Sequence, residues 1–127
     1  MTLNDLYEKI DSINTLLKLK NCVMISTKVT KKDIKLNNTY DYIETFQVKL
    51  NKKIHYNNFV NNNPSLFNFT FCVTNNKIEK LSITSSTILK LIMNIDLNLP
   101  NKVRHHISNY ECFQLLTIYI NKIINSI

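Results

Sequence analysis

None of the 127 residues is glycine. Glycine supplies positive φ most readily, so tight turns and helix exits here must be built from another residue, and asparagine is the next best. Asn21 is placed to occupy the left-handed position just past a first helix. Asn75-Asn76 is placed to form a two-residue type I′ hairpin turn, in which both central residues need positive φ. The same lack removes phosphate-cradling loops of the Walker or dinucleotide kind, because those need close backbone approach.

Hydrophobic periods fill the stretches between these breaks. From Thr2 to Lys20, Leu3, Leu6, Ile10, Ile13 and Leu17 recur at spacings of three and four, which predicts a helix with a heptad-like seam. Burying five such side chains contributes roughly 1.5–3 kcal/mol each before entropy is subtracted, so the seam is not left in water. It faces either a second chain, as a coiled-coil dimerisation segment at residues 1–20, or the core of a globular head at 21–127. Fewer than three heptads is too short to stand alone as a coiled coil.

Cys22 to Val29 reads as a strand with Val23, Ile25 and Val29 on one face. Tyr40 to Leu50 reads as a second strand, with Tyr40, Tyr42, Phe46, Val48 and Leu50 on one side and Asp41, Thr45, Gln47 and Lys49 on the other. Glu44 interrupts the apolar side and is expected to reach solvent at an edge. The stretch from Asn51 to Ser65 shows no period and reads as a mobile loop. Phe67, Phe69, Phe71 and Val73 alternate with Asn68, Thr70 and Cys72 in the clearest strand, and Lys77 to Ile83 returns as a fourth. A helix from Ser86 to about Leu97 carries Ile88, Leu91, Ile92 and Ile95 on one side. Ser108-Asn109-Tyr110-Glu111 is a capping-box pattern that opens a terminal helix. Its expected buried stripe is Phe113, Leu116, Ile120, Ile123 and Ile127, broadened by Leu115, Ile118 and Ile124. The expected fold is α+β: an N-terminal helix, a four-stranded antiparallel meander, and two C-terminal helices packed on one face.

The net charge of +7 invites a nucleic-acid reading. Alanine and tryptophan are absent and Arg104 is the only arginine, while Asn, Lys and Ile abound. Such usage is what AT-rich codons produce, so the lysine excess carries less information than usual. Apart from Lys28, Lys31, Lys32 and Lys35, and the pair Lys52-Lys53, the lysines are dispersed among acids. Nucleic-acid binders concentrate charge and favour arginine for bidentate contacts. Tyr40 and Tyr42, near the lysine-bearing loop, are the candidates for stacking on a single strand. They fit the core face of the sheet better.

Catalytic and metal patterns are weak. His105-His106 are adjacent, so on a helix they point about 100° apart and do not form a paired metal face. His55 and Cys112 would join them only through tertiary coincidence. Cys22, Cys72 and Cys112 are odd in number and lie in apolar-patterned segments, where a small buried hydrophobe is the ordinary role. Asp41 and Glu44 fall on opposite faces of one strand and do not make a carboxylate pair. No enzyme activity, cofactor or metal is expected. Met1-Thr2-Leu3-Asn4-Asp5 carries neither a basic start nor an apolar run, and no segment reaches the ~18 apolar residues of a membrane span. An intracellular protein with no membrane contact is expected, its cysteines reduced.

The order of a heptad-patterned helix running straight into a strand, a four-stranded meander and closing helices resembles the RWD-like head domains of kinetochore proteins. Nearest among them is the C-terminal domain of the monopolin coiled-coil subunit family of chromosome segregation. Leu19-Lys20-Asn21-Cys22 is similar to that family's helix exit, with Asn21 where it has glycine. Leu99-Pro100 through Ile107, and Phe113 in the last helix, match its later pattern; an aromatic-proline step usual before that helix is missing. The resemblance implies a nuclear, kinetochore protein, a homo- or heterodimer through the N-terminal helix, and a hydrophobic patch on the head for partner proteins. Two other readings stay open: a viral or parasite protein of AT-rich origin that binds host proteins, and a nucleic-acid-binding module that uses the lysine loops.

Overall fold

A capping box starts the first helix. In the computed structural model, which describes residues 2–31, 40–56, 59–86 and 109–125, the Asp5 backbone N–H donates to Thr2 Oγ1 at 3.2 Å. The Thr2 N–H donates in return to Asp5 Oδ2 at 2.8 Å, so orphan donors of the first turn are satisfied. These bonds hold the Asp5 carboxyl below its ordinary range. Helix α1 then runs Leu3–Leu19 and exits through Asn21 at φ 57°. Positive φ recurs at Asn63, Asn75 and Asn76 (53°, 51° and 59°), so asparagine makes the left-handed turns that glycine would otherwise make.

Six strands follow: β1 (Cys22–Thr30), β2 (Tyr42–Leu50), β3 (Lys53–Tyr56), β4 (Phe59–Asn62), β5 (Ser65–Thr74) and β6 (Lys77–Ser85); helix α2 (Asn109–Ile124) comes last. β1, β2, β5 and β6 form one antiparallel four-stranded sheet in that order. β3 and β4 pair only with each other. Residues 51–65 are therefore not a bare loop. β-prone residues flank Asn57-Asn58 as they flank Asn75-Asn76, and that signal outweighs the weak period of the stretch. The expected helix from Ser86 to Leu97, and the turn around Val103 and Ile107, lie outside the described residues.

Both described helices cover one face of the sheet. Leu6, Ile10, Ile13 and Leu17 of α1, together with Cys112, Leu116 and Ile120 of α2, share one buried cluster with Phe46, Val48 and Leu50 of β2 and Phe67, Phe69, Phe71 and Val73 of β5. Within it the Phe46 and Phe69 rings stack at 4.8 Å, and Phe67 stacks on Phe69 at 6.3 Å. Two irregularities bring extra side chains inward. Val48 pairs with Phe67 but Lys49 with Ser65, so Leu66 is an extra residue and both Leu66 and Phe67 are buried. Cys72 pairs with Lys80 but Val73 with Ile78. Glu79 is the extra residue there, and it lets Ile78 and Leu81 both face the core.

This core takes up the apolar face of the first helix. Leu6, Ile10, Ile13 and Leu17 are between 0% and 8% exposed within a single chain, and Leu3 packs at the rim of the same cluster. The five side chains read as a dimerisation seam are thus taken up by the chain's own sheet and terminal helix. One buried cluster includes side chains of residues 1–20 and of the head alike. In α2, Ile118 is 60% exposed and not part of the stripe, while Cys112 is fully buried in it.

Candidate functional site

Two places in the described structure carry polar or apolar groups beyond what the core needs: a buried carboxylate under α1, and the open edge of the sheet at β1.

Glu44 was expected at the solvent edge, yet it is buried. It sits on the core face of the central strand β2, between Tyr42 and Phe46, because the period-2 alternation directs it there. Tyr7 of α1 donates its hydroxyl to Glu44 Oε1, and Ser26 of β1 donates to Oε2 at 2.7 Å. Each carboxylate oxygen therefore has a hydroxyl donor, which makes burial of the group tolerable. The Tyr7 hydroxyl also lies 3.0 Å from that of Tyr42, and its ring meets Phe71 edge-on at 6.0 Å. Burial first, and then the bond to Glu44, push the Tyr7 phenol well above its ordinary range, so it stays a donor. Lys28 Nζ lies 3.9 Å from the centre of the Tyr42 ring, a cation–π contact on the same face. The cluster pins α1 to β1 and β2. Tyr7→Phe is expected to keep the ring contact and lower stability by about 1.5–3 kcal/mol, since a buried carboxylate loses a donor. Glu44→Gln, whose Oε1 still accepts from one hydroxyl while its Nε2 donates to the oxygen of the other, is expected to lose less. Urea midpoints of the two variants compare them directly.

Among the described residues the other chemical candidates do not assemble. The Cys22, Cys72 and Cys112 side chains are buried. Burial pushes all three thiols up, Cys112 to about 12, which suits small core hydrophobes. No group of three His, Cys, Asp or Glu side chains that could hold a metal comes together among the described residues. His105-His106 lie outside the described residues, as do Lys32 and Lys35 and the side chain of His55. Tyr42 packs against the core cluster as expected. No described helix is long and apolar enough to cross a membrane.

The edge of β1 is different. Asn51 N–H donates to Asn21 O at 2.6 Å, and Lys31 N–H to Asp41 O at 2.8 Å. Hydrogen-bonded pairs alternate along an antiparallel ladder, so the odd-numbered residues of β1 bond to β2. The even-numbered residues Met24, Ser26 and Lys28 then direct their backbone N–H and C=O groups off the sheet. None of these six groups has a backbone partner among the described residues. Val23 and Ile25, on the sheet face away from the helices, are 37% and 45% exposed. They were expected on an apolar face of the strand; that face is the outer one, and Cys22 and Met24 take the inward positions. On the helix side, Leu16 is 48% exposed. It lies nine residues beyond Tyr7, about 180° round the helix. Tyr7 reaches inward to β2 and β5, so Leu16 lies on the side of α1 opposite that contact. Among the described residues, backbone without a backbone partner is thus flanked by exposed Val23 and Ile25 on the outer face.

No protein-family model matches the chain, and neither a curated protein nor a solved structure matches it.

Proposed function

We propose that the chain is a non-enzymatic protein-interaction module that receives an extended partner segment at the edge of β1. The observation that carries this reading is the juxtaposition of outward-directed backbone at Met24, Ser26 and Lys28 with exposed Val23 and Ile25. Strand addition draws affinity from main-chain hydrogen bonds and specificity from alternating side chains, and this edge offers both. The lysines support it over nucleic-acid binding: Lys28 is engaged with the Tyr42 ring, and no arginine lies among the described residues. The helix–sheet–helix order supports an adaptor role in chromosome segregation, at the kinetochore in the nucleus, of the kind the RWD-like resemblance implies.

A photo-crosslinking residue placed at Ile25, with Thr84 on the far edge strand as control, tests this in cells. Crosslinking to protein at position 25 and not at 84, with chromosome-segregation proteins recovered in the captured complex, is the expected result. Equal capture at both positions, or none at 25, overturns the edge as the interaction surface. A complex captured at 25 without chromosome-segregation proteins overturns the kinetochore setting. Binding to single-stranded nucleic acid that weakens steeply with salt would instead favour the lysine-loop reading.

A further inference from the structure

We propose that the occupant of the β1 edge is a second copy of this chain, paired antiparallel about Ser26 to give a continuous eight-stranded sheet. This rests on the edge being an interaction surface and adds the identity of what covers it.

Proteins blunt exposed edge strands with charged side chains, proline, bulges or very short strands. β1 has none of these in working order. It is nine residues long, it contains no proline, and its register with β2 is unbroken from Cys22 to Thr30. Its one charged side chain, Lys28, is engaged over the ring of Tyr42. The opposite edge, β6, is guarded: it carries Lys77, Glu79 and Lys80 and a break in register. An unguarded flat edge invites open-ended association unless a closed symmetry satisfies it, and a two-fold pair closes.

The sequence of β1 is self-complementary in the register that uses its full length. With Ser26 opposite Ser26 of the second copy, each Lys28 lies opposite a Met24, so the lysines do not confront one another. On the outer face each Val23 lies opposite a Val29, and each Ile25 opposite a Thr27. These are β-branched cross-strand pairs of the kind that stabilise antiparallel sheets. The same register lets Met24, Ser26 and Lys28 bond directly, using the groups that point off the sheet.

Charge sets the salt response. Two copies of net charge +7 repel, and added salt screens that repulsion over a Debye length of about 10 Å at 0.1 M. Self-association should therefore tighten with salt, whereas docking of an acidic segment would weaken.

Sedimentation of the full chain across a concentration series tests the proposal. The expected result is a monomer–dimer equilibrium that shifts toward dimer with salt. Ile25→Lys should weaken it at least about tenfold while leaving the urea midpoint close to that of the parent, because residue 25 is half exposed. In the I25C/T27C double variant, the two positions of one copy face those of the other as closely spaced pairs, within disulfide reach. Oxidation should give a covalent dimer. A folded monomer at every concentration, with no covalent dimer from the double variant, overturns self-pairing. In that case crosslinking from position 25 still decides whether the edge receives another protein. A dimer insensitive to Ile25→Lys also overturns it, since the contact would lie elsewhere.

Discussion

Changing Ile10 and Ile13 together to Asp is expected to unfold the chain, not to split a dimer into folded monomers. Both side chains lie in the cluster that α1 shares with the sheet, at 1% and 8% exposure. Hydroxyl donors reach buried Glu44 on both carboxylate oxygens; positions 10 and 13 sit among Leu6, Leu17 and the phenylalanines of the sheet. A carboxylate there is either ionised without a partner or protonated at the expense of a large pKa shift. Each change also removes an isoleucine from the core, which by itself costs about 2–5 kcal/mol. Domains of this size are stable by only about 5–15 kcal/mol, so two such changes exceed the margin. Far-UV circular dichroism and sedimentation separate the outcomes. Loss of helix and sheet signal confirms the core role of the helix. A folded monomer would place the seam between two chains.

That contrast marks what the residue pattern could and could not convey. The three-and-four spacing of Leu6, Ile10, Ile13 and Leu17 specifies which face of a helix is apolar, but says nothing about what covers it. In β5 the matter was simpler, because Phe67, Phe69, Phe71 and Val73 leave only one face to bury and Asn75-Asn76 marks the turn. β1 misled for a definable reason: both of its faces carry apolar residues. Val23, Ile25 and Val29 outnumber Cys22 and Met24, yet the register with β2 turns the smaller set inward. Glu44 could be seen as an odd acid on an apolar face. Its donors are 37 and 18 residues away in the chain, so only the tertiary fold reveals why it can be buried. The extra residues Leu66 and Glu79 are likewise invisible until strands are paired. The open edge is legible only once β1 is known to be last in the sheet.

Phe69→Ala is expected to lower the unfolding free energy by about 3–5 kcal/mol, the usual loss for a large aromatic removed from a well-packed core. Phe69 is 1% exposed and lies across from Phe46 on one neighbouring strand and Ile83 on the other. Its ring stacks on both Phe46 and Phe67, and aromatic pairs add about 0.5–1.5 kcal/mol each beyond area burial. The surrounding strands are hydrogen-bonded on both sides, so the sheet cannot close over the gap and a cavity remains. Thr70→Ala, one residue on, provides the counterpart. It removes a hydroxyl pair with Thr45 at 2.9 Å on the opposite face and should cost only about 0.5–1.5 kcal/mol. Urea unfolding with an unchanged m-value measures both. A slip of one residue in the β2–β5 register would exchange the two faces and invert the order of the two effects. The ranking of Phe69→Ala over Thr70→Ala therefore tests the register on which the position of the β1 edge, and the pairing proposed for it, depend.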